Sequence, residues 1–272
     1  MIFPFGDDVP ARRPPIVTCA IIVLNVLALV WVDLLPDVNH KLVLVERGFI
    51  PVRLGQGLQG RPMVFEIEDP AEGPQRNRPA VLKKQVTLPA DRASIVSSLV
   101  TSLFLHGGWL HLLGNMWFLW IFGNNVEDRL GHFLYVFFYL GGGVLANLCH
   151  WWSDPASQVP VIGASGAVAT VLGAYAVTWP WAHVRCVVVL IIFITVVQLP
   201  ALAVLGFWFL TQVLEASQQV DLGLQGGVAF WAHIGGFLAG MVLMPLLARR
   251  PEPPPRQPPR PPLEYQVYGD RW

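Results

Sequence analysis

The sequence predicts an all-α polytopic membrane protein, a bundle of six transmembrane helices with a long outer loop after the first. Three observations predict it. Hydrophobic residues make up 54% of the chain and charged residues 13%, a balance that burial in a soluble core does not account for. Six apolar segments are long enough, or nearly so, to cross a bilayer that needs about 20 apolar residues. Lysine and arginine occupy every other short connection, which gathers them on one side of the membrane.

The chain opens with "MIFPFGDDVPARRPP", polar and proline-rich, read as a cytoplasmic segment over 1–15. The apolar run 16–35 continues for a full span with no small-residue cleavage site, so it reads as a retained helix rather than a signal peptide. Residues 36–108 are too long for a turn and carry both charges. Long loops translocate regardless of charge, so this stretch is expected outside. Within it "RPMVFEIED" and "AVLKKQVTLP" alternate apolar and polar residues around a Gly/Pro/Asn-rich centre, which suggests a small β-hairpin.

The next spans are expected at 109–125, 133–152 and 165–179, the first and last of them short. "VRCVVVLIIFITVVQLP", residues 184–200, is apolar, rich in β-branched residues and closed by Pro200. It is either a seventh span or a lipid-contacting interfacial segment leading into the fifth span at 201–215. Parity favours the interfacial reading, because a further crossing puts Arg249 and Arg250 outside. The sixth span, 228–248, completes a membrane domain of 16–248, and the proline-rich 249–272 is expected as a disordered cytoplasmic tail.

Arg12, Arg13, Arg129, Arg185, Arg249 and Arg250 mark the inner side, while the loops after the third and fifth spans carry no lysine or arginine. Both termini are therefore expected in the cytoplasm. Trp151, Trp152, Trp179, Trp181 and Trp231 fall at the expected interfaces. Cys19, Cys149 and Cys186 sit at different depths or faces, which indicates neither a disulfide nor a metal site. No basic cluster suggests nucleic acid.

Polar side chains inside spans are costly and are functional candidates by default. His111 and Asn115 are four residues apart on one helical face at the start of the second span. Ser165 begins the fourth span, and His233 lies about a turn inside the sixth. All four are expected near the outer end. Small residues at Gly166, Ala169 and Gly173, and at Ala232, Gly236 and Gly240, let the fourth and sixth spans approach closely, within reach of a Ser165–His233 hydrogen bond. A serine needs an imidazole to take its proton before it attacks a carbonyl. Gly163 and Gly166 permit a tight backbone whose N–H groups face a developing oxyanion, with Asn115 and His111 as further donors. No acidic residue lies near His233 within a span, so a dyad is expected rather than a triad. Each feature alone has a structural explanation, a back-bonded serine or interhelical glue; their meeting at one depth does not.

The motifs "HGGWLHLLGN", "GASGAVA" and "AHIGGFLAG" resemble those of the rhomboid family of intramembrane serine proteases, over roughly 101–247. The resemblance implies a six-helix core with a water-filled cavity open to the outside and no cofactor or metal. It makes Ser165 the nucleophile, His233 the general base, and His111, Asn115 and the Ser165 backbone N–H the oxyanion hole. "FGNNVEDRLG", with Glu127 and Gly131, is similar to the family's turn after the second span, a structural element. Two features depart from the family pattern: Ala169 stands where a tyrosine often packs on the histidine, and no Trp-Arg pair is evident in the first loop. The implied reaction is hydrolysis of peptide bonds in or near the transmembrane helices of single-span or polytopic membrane proteins. The fifth span and the loop after it form the expected gate. The expected setting is a bacterial inner (plasma) membrane, with the site towards the outer side. The competing reading is a catalytically inactive relative that binds transmembrane helices as a chaperone or trafficking factor.

Overall fold

The computed structural model describes residues 2–71, 80–190, 193–221 and 229–248. A short strand, β1 (Ile2–Gly6), precedes the helix α1 (Ile16–Asp33). The long stretch that follows is structured rather than a simple loop. It forms α2 (Asp37–Arg47), α3 (Pro51–Leu58), the strands β2 (Met63–Ala71) and β3 (Ala80–Leu88), and α4 (Arg92–Thr101), which runs into a 3-10 turn over Ser102–Phe104. The strands pair antiparallel from Met63 opposite Leu88, the hairpin that alternation predicts. Asp91 caps α4, accepting from the backbone N–H of Ala93 and Ser94 at 3.3 and 2.9 Å.

The remaining helices are α5 (Trp109–Leu130), α6 (His132–Ser153), α7 (Ser165–Thr178), α8 (Ala201–Asp221) and α9 (Phe230–Leu247). Apolar runs become helices here because a helix satisfies its own backbone polar groups where water is absent. Among the described residues α1, α6 and α9 are each long and apolar enough to cross a membrane. The bent pair of 92–104 with α5, kinked by 80°, adds a fourth if counted as one span. The protein is an integral membrane protein, mostly helical. Its outward faces agree with that setting: Leu24, Leu27 and Trp31 on α1, and Phe207, Leu210 and Leu214 on α8, are exposed at helical spacing.

The core centres on α7, every residue of which from Gly166 to Ala176 is buried. It packs against α5, α6, α8 and α9. The small-residue faces of α7 and α9 meet as expected: a Cβ on Gly236 would collide with the Gly166 carbonyl, and one on Gly173 with that of Phe237. Backbones this close gain dispersion contacts that larger side chains would prevent.

At the end of the bundle away from Ser165, two carboxylates do the joining. Buried Glu127 on α5 accepts from the backbone N–H of Val17 and Thr18, both at 2.8 Å, from the Thr18 hydroxyl at 2.7 Å, and faces His132 Nδ1 at 2.6 Å. Pro15 gives α1 no side-chain cap, so Glu127 satisfies that helix start from another helix. Asp7, just after β1, accepts on one oxygen from Tyr175 Oη and Asn125 Nδ2, each at 2.6 Å.

The segment expected at 184–200 is extended rather than a seventh helical span: β4 (His183–Leu190) and β5 (Phe193–Pro200) pair antiparallel, with β1 paired to β4 on the other side. The N-terminal segment is thus an edge strand of a three-stranded sheet. The fifth helix also extends beyond 215 to Asp221. The remainder of its following loop and the tail 249–272 lie outside the described residues. Cys19, Cys149 and Cys186 are free thiols.

Candidate active site

The loop entering α7 is held from three sides. Phe49 and Val161 exchange backbone hydrogen bonds at 3.0 and 2.7 Å, so the turn between α2 and α3 grips the loop from one direction. Ser102 accepts from the Gly163 N–H at 2.9 Å, and Asn147 on α6 steadies Ser102 by donating to its hydroxyl and to the Leu99 carbonyl, both at 3.0 Å. Gly163 has φ +122, and a Cβ there would stand 2.8 Å from Cε1 and Nε2 of His111. Only glycine fits both the conformation and the space.

This corrects one expectation. Gly163 is not an oxyanion donor in this arrangement, because its N–H is committed to the Ser102 carbonyl. Its part is to let the backbone lie against His111. Ser165 opens α7, whose first N–H groups have no intrahelical acceptor and form a positive end. The helix has 14 residues. At about 1.5 Å per residue it is ~21 Å long, short of the ~30 Å hydrocarbon layer.

His106, in the turn before α5, was not singled out by the sequence. It is buried, and its Nε2 lies 3.0 Å from Asn115 Nδ2 and accepts from the Ala164 N–H at 3.4 Å. Both neighbours are donors, so Nε2 carries the lone pair and the Asn115 amide is fixed with its nitrogen towards His106. One amide hydrogen is used there, and the other has no acceptor among the described residues. The His106 and His111 rings meet edge to face at 5.1 Å.

His233 is buried on α9. Its Nδ1 lies 2.6 Å from Gln212 Oε1 on α8, a second residue that the sequence reading passed over. The signal was present in principle, since an amide inside an apolar helix is costly. Ala169, at the position where the family often has a tyrosine, is buried against α9 near Gly236. Trp208 and Phe230 border the imidazole instead, with ring centroids at 6.0 and 6.3 Å. Ser165, His233, His111, Asn115 and Gln212 all line one cavity of about 270 Å³. Among the described residues no cluster of His, Cys, Asp or Glu could hold a metal ion.

The fold and this cavity define a membrane-embedded helical bundle with serine, imidazole and amide groups gathered at one helix start. Comparison with known proteins sharpens that class. The family model of the Rhomboid domain matches residues 94–250, and the chain belongs to the rhomboid family. It is 35% identical over 167 residues to Rhomboid-like protein 11, chloroplastic, of Arabidopsis thaliana, covering 56% of this chain and 52% of that protein. It is 31% identical over 159 residues to the mitochondrial presenilin-associated rhomboid-like protein of Mus musculus, covering 56% and 38%. A third relative, the putative rhomboid protease YdcA of Bacillus subtilis (strain 168), is 35% identical over 77 residues, covering 28% and 38%. The chain spans about half or less of the length of these relatives. Chloroplastic and mitochondrial names among them leave the narrower expectation of a bacterial inner membrane without support.

Proposed function

We propose that the protein is an intramembrane serine protease, acting on peptide bonds in or near the transmembrane helices of other membrane proteins. The observation that carries this reading is the shared cavity of Ser165, His233, His111 and Asn115 at the start of α7. In this reading α1 and α5 to α9 are the six crossings, both termini are cytoplasmic, and the cavity opens towards the outer side. Residues 16–248 form the membrane domain, with 36–108 an outer insertion and 249–272 a cytoplasmic tail.

His233 takes the Ser165 hydroxyl proton as Oγ bonds to the scissile carbonyl carbon. The carbonyl oxygen gains the negative charge, and the Ser165 N–H, the free Asn115 amide hydrogen and His111 surround it. On collapse the C–N bond breaks and the imidazolium returns the proton to the leaving amine. Water, deprotonated by His233, then releases the acyl group from Ser165. A helical substrate conceals its carbonyls, so segments with small or helix-breaking residues near the outer end unwind most readily into the cavity.

A fluorophosphonate probe tests the chemistry without a substrate. Labelling of the wild type that disappears in Ser165→Ala and falls sharply in His233→Ala is expected. Labelling that survives Ser165→Ala assigns the nucleophile elsewhere, and an unlabelled wild type favours a helix-binding relative without hydrolytic activity.

A further inference from the structure

We propose that Gln212 is the positioning residue for His233, and that its place on α8 ties the alignment of the base to the seating of that helix. This rests on the reading of Ser165 and His233 as nucleophile and base. The argument is a count of protons. The Thr211 hydroxyl donates to the Trp208 carbonyl at 2.6 Å, which leaves its oxygen as an acceptor. Gln212 Nε2 donates to that oxygen at 3.1 Å. The amide is thereby oriented, and Oε1 is the atom 2.6 Å from His233 Nδ1. A carbonyl oxygen only accepts, so Nδ1 carries the hydrogen and Nε2 keeps the lone pair a general base requires.

The chain of bonds starts on the backbone of α8 and ends on a ring of α9. Gln212 and His233 are both buried, and each polar atom in the chain has one partner suited to it. A neutral amide supplies orientation but no charge to an imidazolium, so it fills part of the role that a carboxylate has in a triad. The seating of α8 itself depends on aromatic packing, with Phe209 stacked on Phe237 of α9 at 4.7 Å. When α8 moves away from α9 to admit a substrate helix, Gln212 leaves His233 and the ring loses its fixed tautomer. Entry and hydrolysis are thus separate states, and cleavage follows the return of α8.

The test combines turnover in liposomes with nitrogen NMR of 15N-histidine-labelled protein. Gln212→Leu keeps the side-chain bulk and removes the acceptor. It is expected to lower kcat by about 10- to 100-fold, less than loss of a triad carboxylate, with KM within about twofold and with the His233 nitrogens shifted to a mixed tautomer. Gln212→Glu restores an acceptor at the same reach and recovers most of the lost kcat. Phe209→Ala, which loosens α8 without removing the amide, is expected to move the same nitrogens the same way and to add little on top of Gln212→Leu. Wild-type kcat in Gln212→Leu, or an unchanged His233 spectrum, overturns the positioning role; independent, additive effects of Phe209→Ala overturn the coupling. If the wild type shows no Ser165-dependent cleavage, the protease reading fails, and the nitrogen spectrum alone still decides whether Gln212 holds the ring.

Discussion

At the scale of single residues, Asn115 illustrates how a donor is made ready. One of its amide hydrogens is spent on His106, and that bond fixes where the other points. Asn115→Ala is expected to lower kcat by about 100-fold with little change in KM, the usual loss for one oxyanion donor, read as initial rates over a range of substrate density. His106→Phe keeps the ring volume but removes the acceptor, so it is expected to reproduce part of that loss with the cavity intact. Ser165, His233, His111 and Asn115 were legible in the sequence because each lies in a short local motif and is costly in an apolar segment. His106 lies in the turn before α5, outside the apolar runs, and Gln212, though costly in its apolar helix, belongs to no local motif; what each does depends on its partners, Ala164 58 residues from His106 and His233 21 residues from Gln212. Gly163 was found for the right reason, tight backbone, but its N–H was given the wrong partner. Spacing cannot show that Ser102 reaches it first.

At the scale of elements, the two joining carboxylates make separable predictions. Glu127→Ala strips the start of α1 of its acceptor and leaves two backbone N–H groups unpaired, at a cost of about 2 kcal/mol. Unfolding of the micelle-bound protein by denaturing detergent measures it. Asp7 behaves in the opposite sense. Burial raises its pKa above the ordinary 3.8, against the hydrogen bonds from Tyr175 and Asn125 that lower it. A carboxyl whose folded pKa is raised contributes stability at pH below its unfolded pKa, and that contribution fades as pH rises through the folded value. Both donors reach one oxygen of Asp7, which an asparagine also offers. Asp7→Asn is therefore expected to hold or raise the thermal midpoint at neutral pH and to flatten its dependence just above pH 3.8, whereas Asp7→Ala lowers the midpoint. A midpoint at neutral pH that falls in Asp7→Asn would show that the charge itself binds the strand. The long helices were legible from apolar runs alone. The sheet was not, because a β-branched apolar run fits a strand, a buried helix or a span equally, and the strand β1 that pairs with it lies at the far end of the sequence.

At the scale of the whole molecule, the long insertion and the membrane helices act together on one loop, the insertion through Phe49 and Ser102 and the helices through Asn147, which holds Ser102. The sequence showed the insertion's hairpin through its alternation, but its grip on Val161 is a tertiary contact that no local pattern encodes. In the proposed reading the helix that moves is α8, whose outer face is apolar and whose inner face carries Trp208 and Gln212 into the cavity. A reducible bifunctional thiol cross-link between Phe118→Cys and Trp208→Cys, both lining that cavity, in a background lacking the native cysteines, should stop cleavage of a helical substrate when formed and restore it on reduction. Equal turnover in both states would exclude entry between α5 and α8. The most direct measurement for the account as a whole is cleavage of a single-span substrate by the purified protein and by Ser165→Ala, each reconstituted in liposomes. The account predicts a defined product from the wild type and none from the variant; equal product from both would contradict the assignment of Ser165, and no product from either would contradict proteolysis.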